Sequence, residues 1–168
     1  MPDDERKKFA PTSEREALGS FLDAQREALI RKIEGLDDAA ARRSPTASSL
    51  SLLALVKHSA IWERRWFQII AAGRRWPDEW PAVKDEVEDA DLMVGDDDTV
   101  DQWVEYYREQ IAESRAVVAS LDLDAPCARA DLIECNVRYV LFHMIEETAR
   151  HAGHADIIRE TIDGSRGV

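Results

Sequence analysis

The stretch that decides the fold runs from Asn136 to Gly164 and reads NVRYVLFHMIEETARHAGHADIIRETIDG. Its apolar residues recur three and four positions apart, which is the period of a helix with one buried face. Gly164 suits the left-handed position that closes many helices. We therefore predict one long helix from Asn136 to Asp163.

Three further runs upstream have the same helical period. Ser13 and Thr99 each stand three residues before a Glu or Gln, the pattern of a capping box, and Ser49 or Ser51 can cap the run between them. Gly73 ends that middle run. The helices predicted from these signals are Ser13–Leu36, Ser51–Ala72 and Thr99–Leu121.

Four amphipathic helices without an alternating strand pattern most simply bury their apolar faces in a four-helix bundle. At 168 residues the chain suits one domain, 1–168, with about 1–12 as a disordered tail. Proline and small polar residues predict a loop after the first helix, and residues 128–133 before the last helix can be briefly extended. The lengths of the connections leave the order of the helices in the bundle open.

Composition restricts the partners of the protein. It has 22 basic and 34 acidic side chains, a formal net charge of -12, which repels the phosphates of nucleic acids. The acidic residues concentrate between Asp78 and Asp101, as expected for a solvated loop. No apolar stretch follows the first residues, so we expect neither a signal peptide nor a membrane anchor, and a cytoplasmic protein.

The two cysteines, Cys127 and Cys135, lack the paired spacing of a structural zinc site. In a reducing compartment we expect free thiols, with a disulfide or a catalytic thiol as the open alternatives.

Three of the four histidines lie within the last predicted helix. His143, Glu147, His151 and His154 are three or four positions apart and project along one line of that helix. His58 stands on or beside the inward stripe of the second helix, so the imidazoles can converge. A helical pair such as Glu147 and His151, completed by His58, would hold a divalent metal and leave coordination positions for substrate.

Interpretations without a metal compete with this site. A histidine on an apolar face is commonly a hydrogen-bonded core residue, and a line of titratable groups that faces solvent has no function. No glycine-rich phosphate loop or serine-hydrolase pattern is present. Tryptophans most commonly pack in cores, although Trp76 and Trp80 in the acidic segment are candidates to line a cavity.

At Ser51–His58, at the Trp-Glu-Arg run that begins at Trp62, and from His143 to Gly164, the sequence resembles the DinB-like superfamily, which includes the mycothiol-dependent maleylpyruvate isomerases and related thiol S-transferases. The resemblance is closest to a large actinobacterial branch. It implies a four-helix bundle that binds zinc or nickel through one histidine of the second helix and two residues of the fourth. By position these ligands are His58, Glu147 and His151.

The residue three after the last ligand is a glutamine in many relatives and is His154 here. This difference leaves three roles open for His154: a fourth ligand, a hydrogen-bond partner of a ligand, or an acid–base group. His143 is a partner of a ligand or a core residue. Arg150 is a candidate to hold an anionic group of a bound cofactor, and Trp76 is a candidate to contact it.

The resemblance implies a metal that activates mycothiol or bacillithiol for transfer or isomerisation. Our leading hypothesis is therefore a metal-dependent thiol S-transferase or isomerase that acts on a small molecule. A non-catalytic protein that binds a metal or small ligand is the first alternative. A metal-free, stress-related interaction protein is the second, and a homodimer is compatible with exposure of Met93 or Ile162.

Overall fold

The computed structural model describes residues 13–75 and 92–166. Within them, four long helices and one short helix follow each other along the chain. Their bounds are α1 Glu14–Ile33, α2 Asp38–Ala41, α3 Leu52–Glu63, α4 Val100–Ser120 and α5 Val137–Asp163, and α3 continues as a π-helical segment, Arg64–Ala71. The prediction of an all-helical bundle is confirmed.

The long helices begin where capping side chains stand in the sequence. Ser13, Ser51, Thr99 and Asn136 each accept a hydrogen bond from the backbone N–H three residues later. Each bond satisfies one of the N–H groups that a helix leaves unpaired at its start. At the other end of α5, Gly164 adopts a φ of 77° and closes the helix as predicted.

Two local predictions are wrong. The loop predicted after α1 contains helix α2, capped by Asp37, whose carboxylate accepts from the N–H of Ala40. Four residues are too few to show a helical period in the sequence. Residues 128–132 form turns instead of an extended segment, and only an isolated antiparallel bridge joins Pro126 to Asn136 in this connection.

The helices are arranged up, down, down, up. Arg138 at the start of α5 pairs with Glu14 at the start of α1, so these two helices are parallel. Helices α3 and α4 are also parallel, since Lys57 and Gln68 pair with Asp98 and Gln110 in the same order along the chain. The connection between α3 and α4 therefore joins opposite ends of the bundle.

The core consists of two apolar clusters with a polar layer between them. On α1, Arg26 lies between the buried residues Leu22 and Leu29, and it is itself buried. It forms an ion pair with the fully buried Glu63 of α3. Glu63 is the last residue before the π-helical segment, so this charge pair lies at the point where the helix changes its winding.

No helix in ranges 13–75 and 92–166 combines the length and the apolarity needed to cross a membrane. The predicted tail and most of the acidic segment lie outside the described residues. Met93 is exposed, as expected, whereas Ile162 is partly buried against the core.

Candidate functional site

A cavity of about 230 Å³ lies between α3 with its π-helical segment and the middle of α5. These helices are antiparallel, which brings the start of α3 near the second half of α5. The residues that line the cavity are His58, Ser59, Trp62, Trp66, His143, Met144, Glu147, Thr148 and His151. The structure therefore places all three predicted metal ligands on the wall of one cavity.

The two predicted imidazole ligands meet across this cavity. The ring centroids of His58 and His151 are 4.8 Å apart, and the rings are nearly perpendicular at 79°. On α5, Glu147 Oε2 lies 3.6 Å from His151 Nε2. No three His, Cys, Asp or Glu side chains of the described ranges already have the spacing of a metal-ligand set. Binding would therefore require these side chains to close around the ion.

Glu147 also pairs with Arg150, which does not line the cavity. Arg150 Nη1 lies 3.1 Å from Glu147 Oε1, and Arg150 Nη2 lies 2.9 Å from Glu146 Oε1. The side chain of Arg150 is 52% exposed and that of Glu147 is 28% exposed. The guanidinium thus bridges a carboxylate of the cavity and a carboxylate of the surface.

His143 lies at the apolar end of the cavity. Its ring centroid is 4.2 Å from that of Trp66, and its ring is stacked on Tyr139 at 6.1 Å with an angle of 5°. Burial lowers the pKa of His143 and outweighs the opposite effect of Glu147 and Glu146. His143 is therefore a neutral imidazole at neutral pH.

His154 lies apart from the other members of the predicted line. It is exposed, it does not line the cavity, and its ring centroid is 6.1 Å from that of His151. The cavity ends at the contact of His58 with His151, and His154 is one turn beyond it. The predicted line of four thus contributes three residues to the cavity. Trp76, which we predicted to contact a cofactor, lies outside the described residues.

Beneath the cavity, polar side chains continue into the core. Thr148 and Ser59 are buried in the cavity wall, and the buried Tyr107 of α4 lies against Thr148. Burial, followed by the charge of Glu63, raises the pKa of Tyr107 well above its ordinary value, so the phenol stays protonated. We did not predict this layer from the sequence, although a charged residue on the apolar stripe of a helix is a signal for one.

Two tryptophans pack in the core or at its rim, as expected, and also border the cavity. Trp62 and Trp66 were predicted to pack in the core or at its rim. Trp66 is buried in the core cluster, and both side chains also line the cavity. The ring centroids of Trp62 and His58 are 5.4 Å apart, so an aromatic surface borders the imidazole.

The all-helical fold and the match to a family model define a DinB-like protein. The chain belongs to the mycothiol-S-transferase family, whose model matches residues 17–164. A solved structure described as a conserved protein of locus from Enterococcus faecalis has the same fold, with a TM-score of 0.64. It is 16% identical in sequence, and the match covers 92% of this chain and 100% of that one. No curated protein matches the chain.

Proposed function

We propose that this protein is a divalent-metal-dependent S-transferase or isomerase that uses a low-molecular-weight thiol of the mycothiol type. The meeting of His58 and His151 across one cavity, beside the carboxylate of Glu147, carries the proposal. Membership of the mycothiol-S-transferase family supports the choice of thiol.

The chemistry of the donor set fits the proposed metal. Two imidazole nitrogens and one carboxylate oxygen suit zinc, and nickel accepts the same ligands. His58, Glu147 and His151 would hold the ion, and three protein ligands leave positions for water or substrate. When bound, the ion would stabilise a thiolate at neutral pH and polarise an electrophilic substrate.

Arg150 is proposed to hold an anionic group of the thiol or of the substrate. Its side chain already bridges Glu146 and Glu147. Glu146 is 66% exposed and does not line the cavity, so an incoming anion would displace Glu146 from the guanidinium. Glu147 pairs with Arg150 through Oε1, so Oε2, the oxygen on the side of His151, would bind the metal. For His154, exposed beside His151, an acid–base role or a contact with the ligand His151 stays a prediction.

The size of the cavity suggests how a large thiol would bind. At about 230 Å³ it is smaller than ligand pockets of about 300–1,000 Å³. We propose that it encloses the thiol group and the reacting part of the substrate, while the polar remainder of the thiol lies at the mouth. The rings of Trp62 and Trp66 would exclude water from the reacting groups. Contact of Trp76 with the cofactor remains a prediction.

Metal content tests the proposal first. Protein purified without an affinity tag is incubated with zinc or nickel, dialysed, and measured by elemental mass spectrometry. We expect about one ion per chain in the wild type, and a loss in Glu147→Gln and in His151→Ala. Glu146→Gln is the matched control, because it changes the neighbouring carboxylate that also pairs with Arg150. A wild type that retains no metal would contradict the assignment of the ligands.

Turnover is measured separately, as the consumption of mycothiol in the presence of small electrophiles. We expect the rate to fall roughly 100-fold or more in Glu147→Gln, since even partners outside the ligand set change metal-site activity by about 10–100-fold. Stoichiometric metal without turnover would favour the non-catalytic binding protein. Turnover that survives in all ligand variants would favour chemistry elsewhere in the chain.

A further inference from the structure

The connection between α4 and α5 brings the two cysteines together. Cys127 Sγ and Cys135 Sγ are 3.5 Å apart, and the N–H of Cys127 donates to the carbonyl of Cys135 at 2.9 Å. The neighbouring residues Pro126 and Asn136 form an antiparallel bridge. Paired residues on antiparallel segments have Cα atoms about 4.5–5.5 Å apart, within the range of disulfides. The backbone therefore already has the spacing that a disulfide requires.

We propose that Cys127 and Cys135 are a redox-active pair, which a low-molecular-weight disulfide oxidises to an intramolecular disulfide. The chain has only these two cysteines, so neither has another partner within the molecule. The proposal does not depend on the proposed enzymatic function.

The reaction occurs in two exchange steps. The thiolate of Cys135 attacks one sulfur of the external disulfide, so a mixed disulfide forms and one thiolate leaves. Cys127 then attacks the sulfur of Cys135, which forms the internal bond and releases the second thiolate. The two departing thiolates take up the two protons of the cysteines. Two protein thiols are oxidised, and one external disulfide is reduced to two thiols.

The order of attack follows from burial. Cys127 is buried at 4% exposure, whereas Cys135 is partly exposed. Burial, followed by the hydrogen bond and charge of Cys135, raises the pKa of Cys127 to about 12. Cys135 is therefore the thiol that an external disulfide reaches first. The contribution of its charge to the pKa of Cys127 disappears once Cys135 is in a mixed disulfide.

The pair also lies where the connection is fixed to the cavity-bearing helix. The N–H groups of Ala128 and Arg129 donate to the carbonyls of Ala71 and Ile70 at 3.1 Å each, at the end of the π-helical segment. Cys127 belongs to the same apolar cluster as Trp66, which lines the cavity. Oxidation would therefore constrain the connection that holds the end of this segment.

The test exposes the reduced full-length protein to glutathione disulfide as the probe. The reaction is stopped with an alkylating reagent, and the intact mass is measured. We expect the wild type to lose two hydrogens and to escape alkylation. Trypsin cleaves after Arg115, Arg129 and Arg138, so the disulfide would join peptides 116–129 and 130–138.

Two variants separate the steps. Cys127→Ser should stop at a stable glutathione adduct on Cys135, because no second thiol can resolve it. Cys135→Ser should react roughly tenfold more slowly than the wild type, since its remaining thiol is buried. Circular dichroism checks that both variants are folded. Complete alkylation of both wild-type cysteines after exposure, or equally fast reaction of Cys135→Ser, would overturn the proposal.

Discussion

The buried ion pair between Arg26 and Glu63 allows a quantitative test of the polar layer. Their side chains are 4% and 0% exposed, and Arg26 Nε lies 3.2 Å from Glu63 Oε2 while a second nitrogen bonds Oε1. Arg26 also pairs with Asp23 at 2.8 Å. Removal of one partner from a buried pair destabilises proteins by about 3–5 kcal/mol, because the other charge stays buried.

The two single variants should differ within that range. Glu63→Gln leaves the guanidinium with Asp23, whose side chain is 35% exposed, so we expect a loss of about 3 kcal/mol. Arg26→Met removes the cation that bonds Glu63 twice, so we expect a loss of about 4–5 kcal/mol. The double variant contains neither buried charge. Its loss should be smaller than the sum of the single losses by about 1.5–3 kcal/mol.

The free energy of unfolding is measured by urea denaturation for the wild type, both single variants and the double variant. Arg108→Gln serves as the control, because Arg108 forms an exposed pair with Glu34, with side chains 58% and 48% exposed. That variant should change the stability by less than about 1 kcal/mol. If the effects of Arg26→Met and Glu63→Gln add to within about 0.5 kcal/mol, the two side chains do not act as a pair.

Two further predictions concern stability outside the polar layer. Gly73 has a φ of +69°, and a Cβ there would lie 2.8 Å from the Cβ of Ala128, whereas Gly164 has a φ of +77° with nothing within 4 Å of such an atom. By urea denaturation, Gly164→Ala should lower the free energy of unfolding by about 1–2 kcal/mol, because of its left-handed backbone. Gly73→Ala should lower it by about 1 kcal/mol or more beyond that, because the added Cβ meets Ala128. Equal losses would contradict the close approach. Burial alone would raise the pKa of Asp98, but hydrogen bonds from Lys57 and two N–H groups outweigh it and lower the pKa. This stabilisation is complete above about pH 4 and is lost as pH falls through the folded pKa. The wild type should therefore have a free energy of unfolding about 1–2 kcal/mol higher than that of Asp98→Asn at pH 7. In urea titrations this difference should shrink below about pH 4.

The starts of the helices were predictable because their signals are local. Ser13 and Thr99 cap helices within one residue of the predicted starts. The π-helical winding of Arg64–Ala71 was not predictable, because the apolar period continues through this segment. The choice between helix types depends on packing against other helices. Similarly, the burial of Arg26 depends on a partner that is distant in the sequence.

The candidate site was predictable to the extent that helical spacing determines it. His58 lies on the inward stripe of α3, and the i, i+4 pair of Glu147 and His151 lies on the facing surface of α5. The exposure of His154 was not predictable, because its angular position on the helix is close to that of His143 and Glu147. Where a cavity ends along a helix depends on the neighbouring helix, which spacing within one helix does not describe.

The surroundings of two glutamates on the cavity-bearing helices explain why one of them is suited to a cation. Glu63 is fully buried and is held by Arg26 from a facing helix, so its charge is already compensated inside the protein. Glu147 is partly exposed, and its cation, Arg150, is shared with Glu146 and half-exposed. At Glu147, an incoming divalent ion would compete with a solvent-screened surface ion pair to Arg150. At Glu63 it would compete with a desolvated ion pair to Arg26 that has two hydrogen bonds. For this reason we propose Glu147 as the metal ligand and treat Glu63 as a fixed support of the layer beneath it.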